Sequence, residues 1–314
     1  METEKSGEIK HGETKAWLGA KASSFLNSYE KNLPKLLFIP IFIFLLGLIF
    51  LGIKYSTGDI VKRDIGLSGG VSATVYTDIA VDIEELENFL QGKLQADVTV
   101  RKLTDPTTGV AAGINVESQL PMEKIGYLKA ALREKLVFGD KDITTEEVSP
   151  ILGASFFKEM VYSLIFVEIF IAIVVAIIFR KLVPSAAVVF SGIFDMVMSL
   201  TMVSLFGIKL STAGIAAFLM ILGYAIDTDV LLVTKMLKRR ESPLIERITD
   251  SAKTGLTMTF TTIGALIVGI ILTNSVIIWE IFIIVLFGLL FDLVSTWLMT
   301  AGILSWYVKK MGLG

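Results

Sequence analysis

The chain has 314 residues, 53% of them hydrophobic and only 19% charged, with a mean hydropathy of +0.70, where an average soluble domain carries about 25% charged residues. That composition excludes a plain soluble enzyme and a disordered tail, and a net charge of -2 argues against a dedicated nucleic-acid surface, which needs a strongly basic face. With no cysteine and one histidine, His11, the sequence offers no disulfide, no thiol nucleophile and no sulfur- or imidazole-based metal cluster.

Residues 1–35 form a polar segment in which Trp17, Leu18, Ala22, Phe25, Leu26 and Tyr29 share one apolar face, with Lys15, Lys21, Glu30 and Lys31 around it. That spacing predicts an interfacial helix lying on the cytoplasmic leaflet. A bilayer core about 30 Å thick takes roughly 20 helical residues. Apolar runs of that order occur at 36–54, 158–179, 184–206, 210–234, 254–273 and 277–306. The first has a long polar segment before it and no small-residue cleavage motif after it, so it is expected as a retained helix, not a signal peptide. The fold class expected is an α-helical polytopic membrane protein with six transmembrane helices.

One large polar insert, 55–157, separates the first two runs. In it, a β-branched strand at Val71 to Thr77 precedes a helix opened by Asp82, with Leu86, Phe89 and Leu90 at helical spacing. An alternating strand at Asp97 to Leu103, the turn signal Asp105-Pro106 and a strand at Val110 to Val116 follow. A second helix after Pro121 carries Ile125, Leu128, Leu132 and Leu136 on one stripe, and a last strand lies near Ile143 to Val148. The order βαββαβ predicts a ferredoxin-like (split βαβ) domain.

Lys and Arg accumulate on the cytoplasmic side of membrane proteins. Lys31, Lys35, Arg180, Lys181, Lys235, Lys238, Arg239, Arg240, Lys309 and Lys310 all fall on one side if both termini are cytoplasmic, whereas the hairpins 206–210 and 273–275 hold only Lys209. The insert is then extracytoplasmic, 307–314 is a cytoplasmic C-terminus, and 235–253 is a cytoplasmic loop in which Ser242-Pro243 starts a short helix parallel to the interface.

Charged side chains in mid-bilayer cost several kcal/mol, and here every deep one is acidic: Glu168, Asp195, Asp227, Asp229 and Asp292. Glu280 stands near the outer end of its run and is expected at the interface. With no deep Lys or Arg beside them, such carboxyls stay protonated or bind a cation, which couples naturally to proton or sodium movement; the residues do not choose between the two ions. A structural role is the alternative, since an interhelical hydrogen bond contributes about 1 kcal/mol. It weighs most for Glu168, alone among Ile, Val and Phe, and least for Asp227 and Asp229, which follow Gly223. Thr254, Thr257 and Thr261 share one face of the fifth run, a weak signal because hydroxyls commonly bond their own helix.

Gly223 to Leu232 (GYAIDTDVLL) resembles the fourth-helix signature of the SecD/SecF protein-export family, relatives of the RND transporters. Its Tyr is SecF-like, whereas Asp227 stands where SecD-type sequences place their acid; SecF-type sequences usually have it one position later, at Thr228 here. Phe194-Asp195-Met196 is similar to the family's His-Asp pair of helix 3, with Phe for His. Val148 to Gly153 (VSPILG) resembles the run that leads into helix 2, and Asp64 to Gly70 (DIGLSGG) a Gly-rich stretch after helix 1, with Gly66 where an acid is expected. Bacterial members carry a helix-5 Arg where this chain has Lys253 and Thr254. The small insert favours the SecF type, and the departures suit an archaeal version.

The resemblance implies a non-enzymatic subunit without cofactor or metal. It would sit in the plasma membrane, in contact with lipid, pair with SecD as one half of a twelve-helix RND-like unit, and use an ion gradient to assist preprotein translocation through the SecYEG channel. The rival readings are an RND-type exporter half for lipids or small molecules, an intramembrane aspartyl protease, whose Tyr-Asp and Gly-x-Gly-Asp signatures are missing, and a passive channel, which gives no reason for a folded insert. For ion coupling, Asp227 is expected first because it matches the family position, then Asp195 and Asp229, with Asp292 as accessory and Thr254, Thr257, Thr261, Lys253 and Glu168 as supporting residues. Residues 227 and 229 lie about 200° apart around a helix, so both cannot face one partner. Asp229 is nearer the cytoplasm, where Lys235 or Lys238 can pair with it.

Overall fold

The computed structural model describes residues 28–29, 31–33, 35–58, 60–77, 81–104, 111–139, 141–238, 243–273 and 275–312. The expected interfacial helix and the Asp105-Pro106 turn therefore lie outside the described residues, apart from Ser28, Tyr29 and the lead into the first span.

Helix α1 (Phe38–Thr57) has only apolar residues from Phe38 to Ile53 and is followed by a four-residue helix α2 (Ile65–Ser68), capped by the Asp64 carboxylate on the Ile65 N–H at 2.6 Å. The insert then folds as β1 (Gly70–Val75), α3 (Ile83–Leu94), β2 (Val98–Thr104), β3 (Ala111–Ser118), a 3₁₀ turn (Met122–Lys124), α4 (Ile125–Lys135) and β4 (Ile143–Val148). The four strands are antiparallel in the order β2-β3-β1-β4, with Val71 opposite Ser118 and Val75 opposite Ile143. Asp82 caps α3 by accepting from the Glu85 N–H at 3.1 Å. Alternation places Val71, Ala73, Val75, Val98, Val100, Ile114 and Val116 on one face, where Leu86 and Leu90 of α3 and Leu128 and Leu132 of α4 bury them. Both helices therefore cover one side of the sheet.

The other side is polar and tied to the membrane bundle. Asn115 Nδ2 donates to Ser72 Oγ at 2.7 Å and Thr74 Oγ1 at 3.0 Å, and Arg101 pairs with Glu117 at 3.0 Å and Asp64 at 3.7 Å. From a hairpin between two spans, Lys209 reaches Asp97 at 2.9 Å. The backbone joins there as well: the Asp64 N–H donates to the Leu210 carbonyl at 2.9 Å and the Leu210 N–H to the Lys62 carbonyl at 2.8 Å. Two glycine-bearing motifs meet beside this junction. Gly69 (φ +80°) lies so close to Pro150 that a Cβ would come within 2.4 Å of the proline Cα, and a Cβ on Gly153 would come within 2.7 Å of the Gly69 nitrogen.

Strand β4 runs through Ser149 directly into α5 (Pro150–Phe179), with Pro150 at a first-turn position where its missing N–H costs nothing. The remaining spans are α6 (Leu182–Leu205), α7 (Thr212–Lys238), α8 (Leu244–Leu272) and a last one built as α9 (Val276–Val294), a π-helical segment (Ser295–Thr300) and α10 (Ala301–Lys310). Among the described residues, six helices are long and apolar enough to cross a membrane. Two expectations change. Residues 244–253 are the first turns of α8, because after Pro243 no further proline interrupts the 29-residue helix, so they are not a separate interfacial helix. The second span begins at Pro150, eight residues before the apolar run itself. About half of the apolar stretch of α6 and of α7 is buried, but only 11% of that of α1 and of α5. The centre of the bundle is therefore α6, α7 and the last span.

Candidate functional site

The most enclosed polar side chains lie at that centre. Asp195 of α6 is fully buried, with Ser191 and Ser199 one turn before and after it on the same face; all three are 0% exposed. Asp229 of α7 and Asp292 of α9 are equally enclosed, and the π-helical segment adds Ser295, Thr296 and Thr300. A π turn redirects side chains within a helix and frequently marks functional positions.

Each of the three carboxyl groups meets a hydroxyl of the π-helical segment, and one hydroxyl is shared by two of them. Ser295 Oγ lies 2.7 Å from Asp195 Oδ1, and Thr296 Oγ1 lies 3.1 Å from Asp229 Oδ1 and 3.0 Å from Asp292 Oδ1. A threonine hydroxyl has a single hydrogen. Thr296 can therefore donate to only one of its two acids, and the second contact is a hydrogen bond when that acid is protonated and donates to Thr296. The geometry holds two acids, Asp229 of α7 and Asp292 of α9, on one hydroxyl, with Asp195 of α6 beside them. The Oδ2 atoms of Asp195, Asp229 and Asp292 are buried without a hydrogen-bond partner among the described residues. Each such atom costs about 1–3 kcal/mol, so the cluster is held there at the expense of stability.

Glu168 of α5 points at this group from the side. It is buried, and a Cβ on Gly192 would stand 3.4 Å from its Oε1, so the absence of a side chain at Gly192 makes room for the carboxyl. Asp227 is not part of the cluster. It lies on the exposed face of α7, as the 200° separation requires once Asp229 faces inward. Thr254, Thr257 and Thr261 are exposed on α8 and donate to their own backbone, to the Asp250, Lys253 and Thr257 carbonyls at 3.2, 2.6 and 2.7 Å. Lys253 is exposed and lies 3.9 Å from Asp250, outside the cluster. Lys235 does not approach Asp229; its Nζ donates to the Asp250 carbonyl at 2.7 Å and Thr254 at 3.2 Å. Glu280, expected at the interface, is only 4% exposed and accepts from the Ser211 N–H at 2.8 Å, which places a carboxylate at the start of α7.

Sequence reasoning missed Ser191, Ser199, Ser295, Thr296 and Thr300. Their signal is the spacing: hydroxyls four residues either side of Asp195, and three and four residues after Asp292, recur at helical period in otherwise apolar runs.

The family profile described as "Protein export membrane protein SecD/SecF, C-terminal" matches residues 129–310. The protein-export membrane protein SecF of Thermococcus gammatolerans is 35% identical over 293 residues, covering 92% of this chain and 90% of that protein. SecF of Pyrococcus furiosus is 35% identical over 283 residues, covering 90% and 93%. Among solved structures, SecDF from a Thermus species, titled a translocon-associated membrane protein, overlays with a TM-score of 0.65 at 20% identity, which shows a common fold. The match covers 89% of this chain, and this chain spans 38% of that one. The chain belongs to the SecD/SecF family of protein-export membrane proteins. Within that family it is a membrane subunit similar to the SecF proteins of archaea, not an enzyme.

Proposed function

We propose that the chain is the SecF-type half of a SecD–SecF pair that draws on an ion gradient to assist preprotein translocation through SecYEG in the cell membrane. The observation that carries the coupling role is the Thr296 hydroxyl shared by Asp229 and Asp292. With Asp292 protonated, its proton donates to Thr296 while the Thr296 hydrogen donates to Asp229. A concerted shift of both hydrogens leaves Asp292 ionised and Asp229 protonated, with Thr296 unchanged. The acid that holds the proton then differs between α7 and α9, and the contacts between those helices differ with it. Asp195 stands beside this pair and not in its relay, because Ser295 Oγ lies 2.7 Å from Asp195 Oδ1 but reaches only the backbone carbonyl of Asp292, at 3.3 Å.

Pairing with SecD is supported by the outward face of α7. A carboxyl exposed to lipid at mid-span costs about 2.5–3.5 kcal/mol on insertion scales, and Asp227 lies there beside the small Gly223, with the exposed Thr257 and Thr261 on the adjoining helix. A polar partner surface removes that cost, and Asp227 then serves as the interface acid. The sheet unit is read as a ferredoxin-like domain on the extracytoplasmic side, with both termini cytoplasmic, in line with its element order and with the basic loops. The test is reconstitution of the full chain with SecD and SecYEG in vesicles. Asp229→Asn or Asp292→Asn abolishes gradient-dependent stimulation while SecD still co-purifies. Full stimulation in both variants overturns the coupling role, and failure of the wild-type chain to bind SecD overturns the pairing.

A further inference from the structure

The last span leaves α-helical geometry at one place, and a side chain from the lead into the first span meets it there. In an α-helix the Trp297 carbonyl accepts from the N–H four residues on, that of Ala301. Within the π-helical segment the Ala301 N–H turns instead to the Thr296 carbonyl, five residues back. Trp297 is buried, and its carbonyl has thus lost its α-helical donor at a depth where backbone carbonyls are rarely left unpaired. The Tyr29 hydroxyl donates to that carbonyl. Burial pushes the hydroxyl up to about 12, so it keeps its hydrogen and acts as a fixed donor. Leu33, one turn later on the same face and fully buried, packs with Tyr29 in one apolar cluster with Ala301 and Leu304. A Cβ on Gly302 would come within 3.3 Å of the Leu33 carbonyl, so this glycine lets the lead segment lie close against α10. The Trp297 indole in turn rests on Gly255 of α8, where a Cβ would come within 2.8 Å of the ring.

We propose that Tyr29 is a positioning residue for the acid pair: its hydroxyl holds the last span in the π register, and that register presents Thr296 to Asp229 and Asp292. The inference rests on the coupling role given above to Thr296. An α-helical register would return the Ala301 N–H to the Trp297 carbonyl and take one residue out of the turn, which rotates the two parts of the span against each other by about 100°. Ser295 and Thr296 could not then keep facing Asp195 and Asp229 while Gly302 stays against Leu33. The α register needs no donor from outside the span and the π register needs one, so a single hydroxyl weights the choice between them. Packing of the ring alone does not, since a phenyl group fills the same space with no hydrogen to give.

The test compares the full wild-type chain with Tyr29→Phe, which keeps the ring in its cluster and removes only the hydroxyl; a melting temperature close to that of wild type shows that the packing is intact. Hydrogen exchange in nanodiscs, read by mass spectrometry, should be faster in Tyr29→Phe over residues 297–302 by about fivefold or more, the effect of one lost buried hydrogen bond, and unchanged in the sheet unit. In vesicles with SecD and SecYEG, gradient-driven export by the variant should fall, and the pH midpoint of stimulation should move by about half a pH unit or more. A residue that only packs lowers the rate at every pH and leaves the midpoint in place. That result, or exchange over 297–302 no faster than in wild type, overturns the proposal. Thr296→Val separates this inference from the reading beneath it. If Thr296→Val exports at the wild-type rate, the coupling role itself falls, and the exchange result still decides whether Tyr29 holds the register. If Thr296→Val abolishes stimulation while Tyr29→Phe matches wild type in exchange and midpoint, the role of Tyr29 alone is refuted.

Discussion

Replacing Thr296 with Val removes the shared hydroxyl while keeping a branched side chain. Two contacts, at 3.0 and 3.1 Å, are lost, and Asp292 Oδ1, a donor when protonated, and Asp229 Oδ1, an acceptor, join their Oδ2 atoms as buried polar atoms without partners. At about 1–3 kcal/mol for each buried group so stranded, the variant loses about 2–6 kcal/mol, roughly 4–20 °C in melting temperature for a chain of this size. Thr296→Ser keeps the hydroxyl and gives up one methyl group, about 1 kcal/mol. The two variants are compared by thermal unfolding of the purified chain and by gradient-driven export in vesicles with SecD and SecYEG. Thr296→Val loses stimulation and Thr296→Ser retains most of it. A Thr296→Val chain that melts with wild type and exports at the wild-type rate refutes the bridging role. Loss of export in both variants at wild-type stability points to shape at this position and not to its hydroxyl.

Burial, reinforced by the adjacent Asp64, raises the Glu117 carboxyl to about 8 against the pull of Arg101 and Lys209, so the folded chain keeps a proton that the unfolded chain releases near pH 4.5. Its stabilising effect is complete below pH 4.5 and is lost as pH rises through 8; the wild-type melting temperature should fall relative to that of Glu117→Gln between pH 5 and 9, and a difference that stays constant counts against the assignment. Gly69→Ala adds a Cβ 2.4 Å from the Pro150 Cα at a positive φ, which combines left-handed strain of about 1–2 kcal/mol with overpacking of about 1–3 kcal/mol; urea unfolding checks the sum, and an unchanged midpoint would show that the junction yields. Asp82→Ala removes the cap of α3 and should lower stability by about 0.5–2 kcal/mol, measured in the same titration. Cysteines introduced into this cysteine-free chain at Tyr127 and Met311, both exposed, should react with an impermeant reagent from opposite sides of a vesicle; reaction from one side reverses the proposed topology.

The sheet unit was legible almost residue by residue because water surrounds it: alternation at Val71, Ala73 and Val75 and the stripe at Leu128 and Leu132 exist only if one face is dry. Inside the membrane that logic weakens. Lipid is as apolar as a protein core, so hydrophobic periodicity marks a span without saying which face looks inward. The choice between Asp227 and Asp229 is of this kind: both stand among apolar residues, and only the position of Asp292 and Thr296, more than sixty residues away, places Asp229 inside. The role of Glu280 depends on Ser211, sixty-nine residues earlier in the chain, which no local pattern records. The hydroxyl partners were visible as a spacing but carry no meaning until three helices bring them together.

Because β4 passes into α5 through a single residue, the sheet unit and this span have no slack between them. Gly69 and Gly153, in contact with each other, brace the corner. A 30-residue helix is a rod about 45 Å long, and Glu168 lies about 27 Å along it from Pro150. Rotating the sheet unit enough to tilt the rod by 5° about its Pro150 end displaces Glu168 by about 2 Å across the face of α6, most of a hydrogen-bond length. A small swing on the aqueous side thus reaches the acids at mid-membrane as a change in carboxyl spacing, with no loop in between to absorb it.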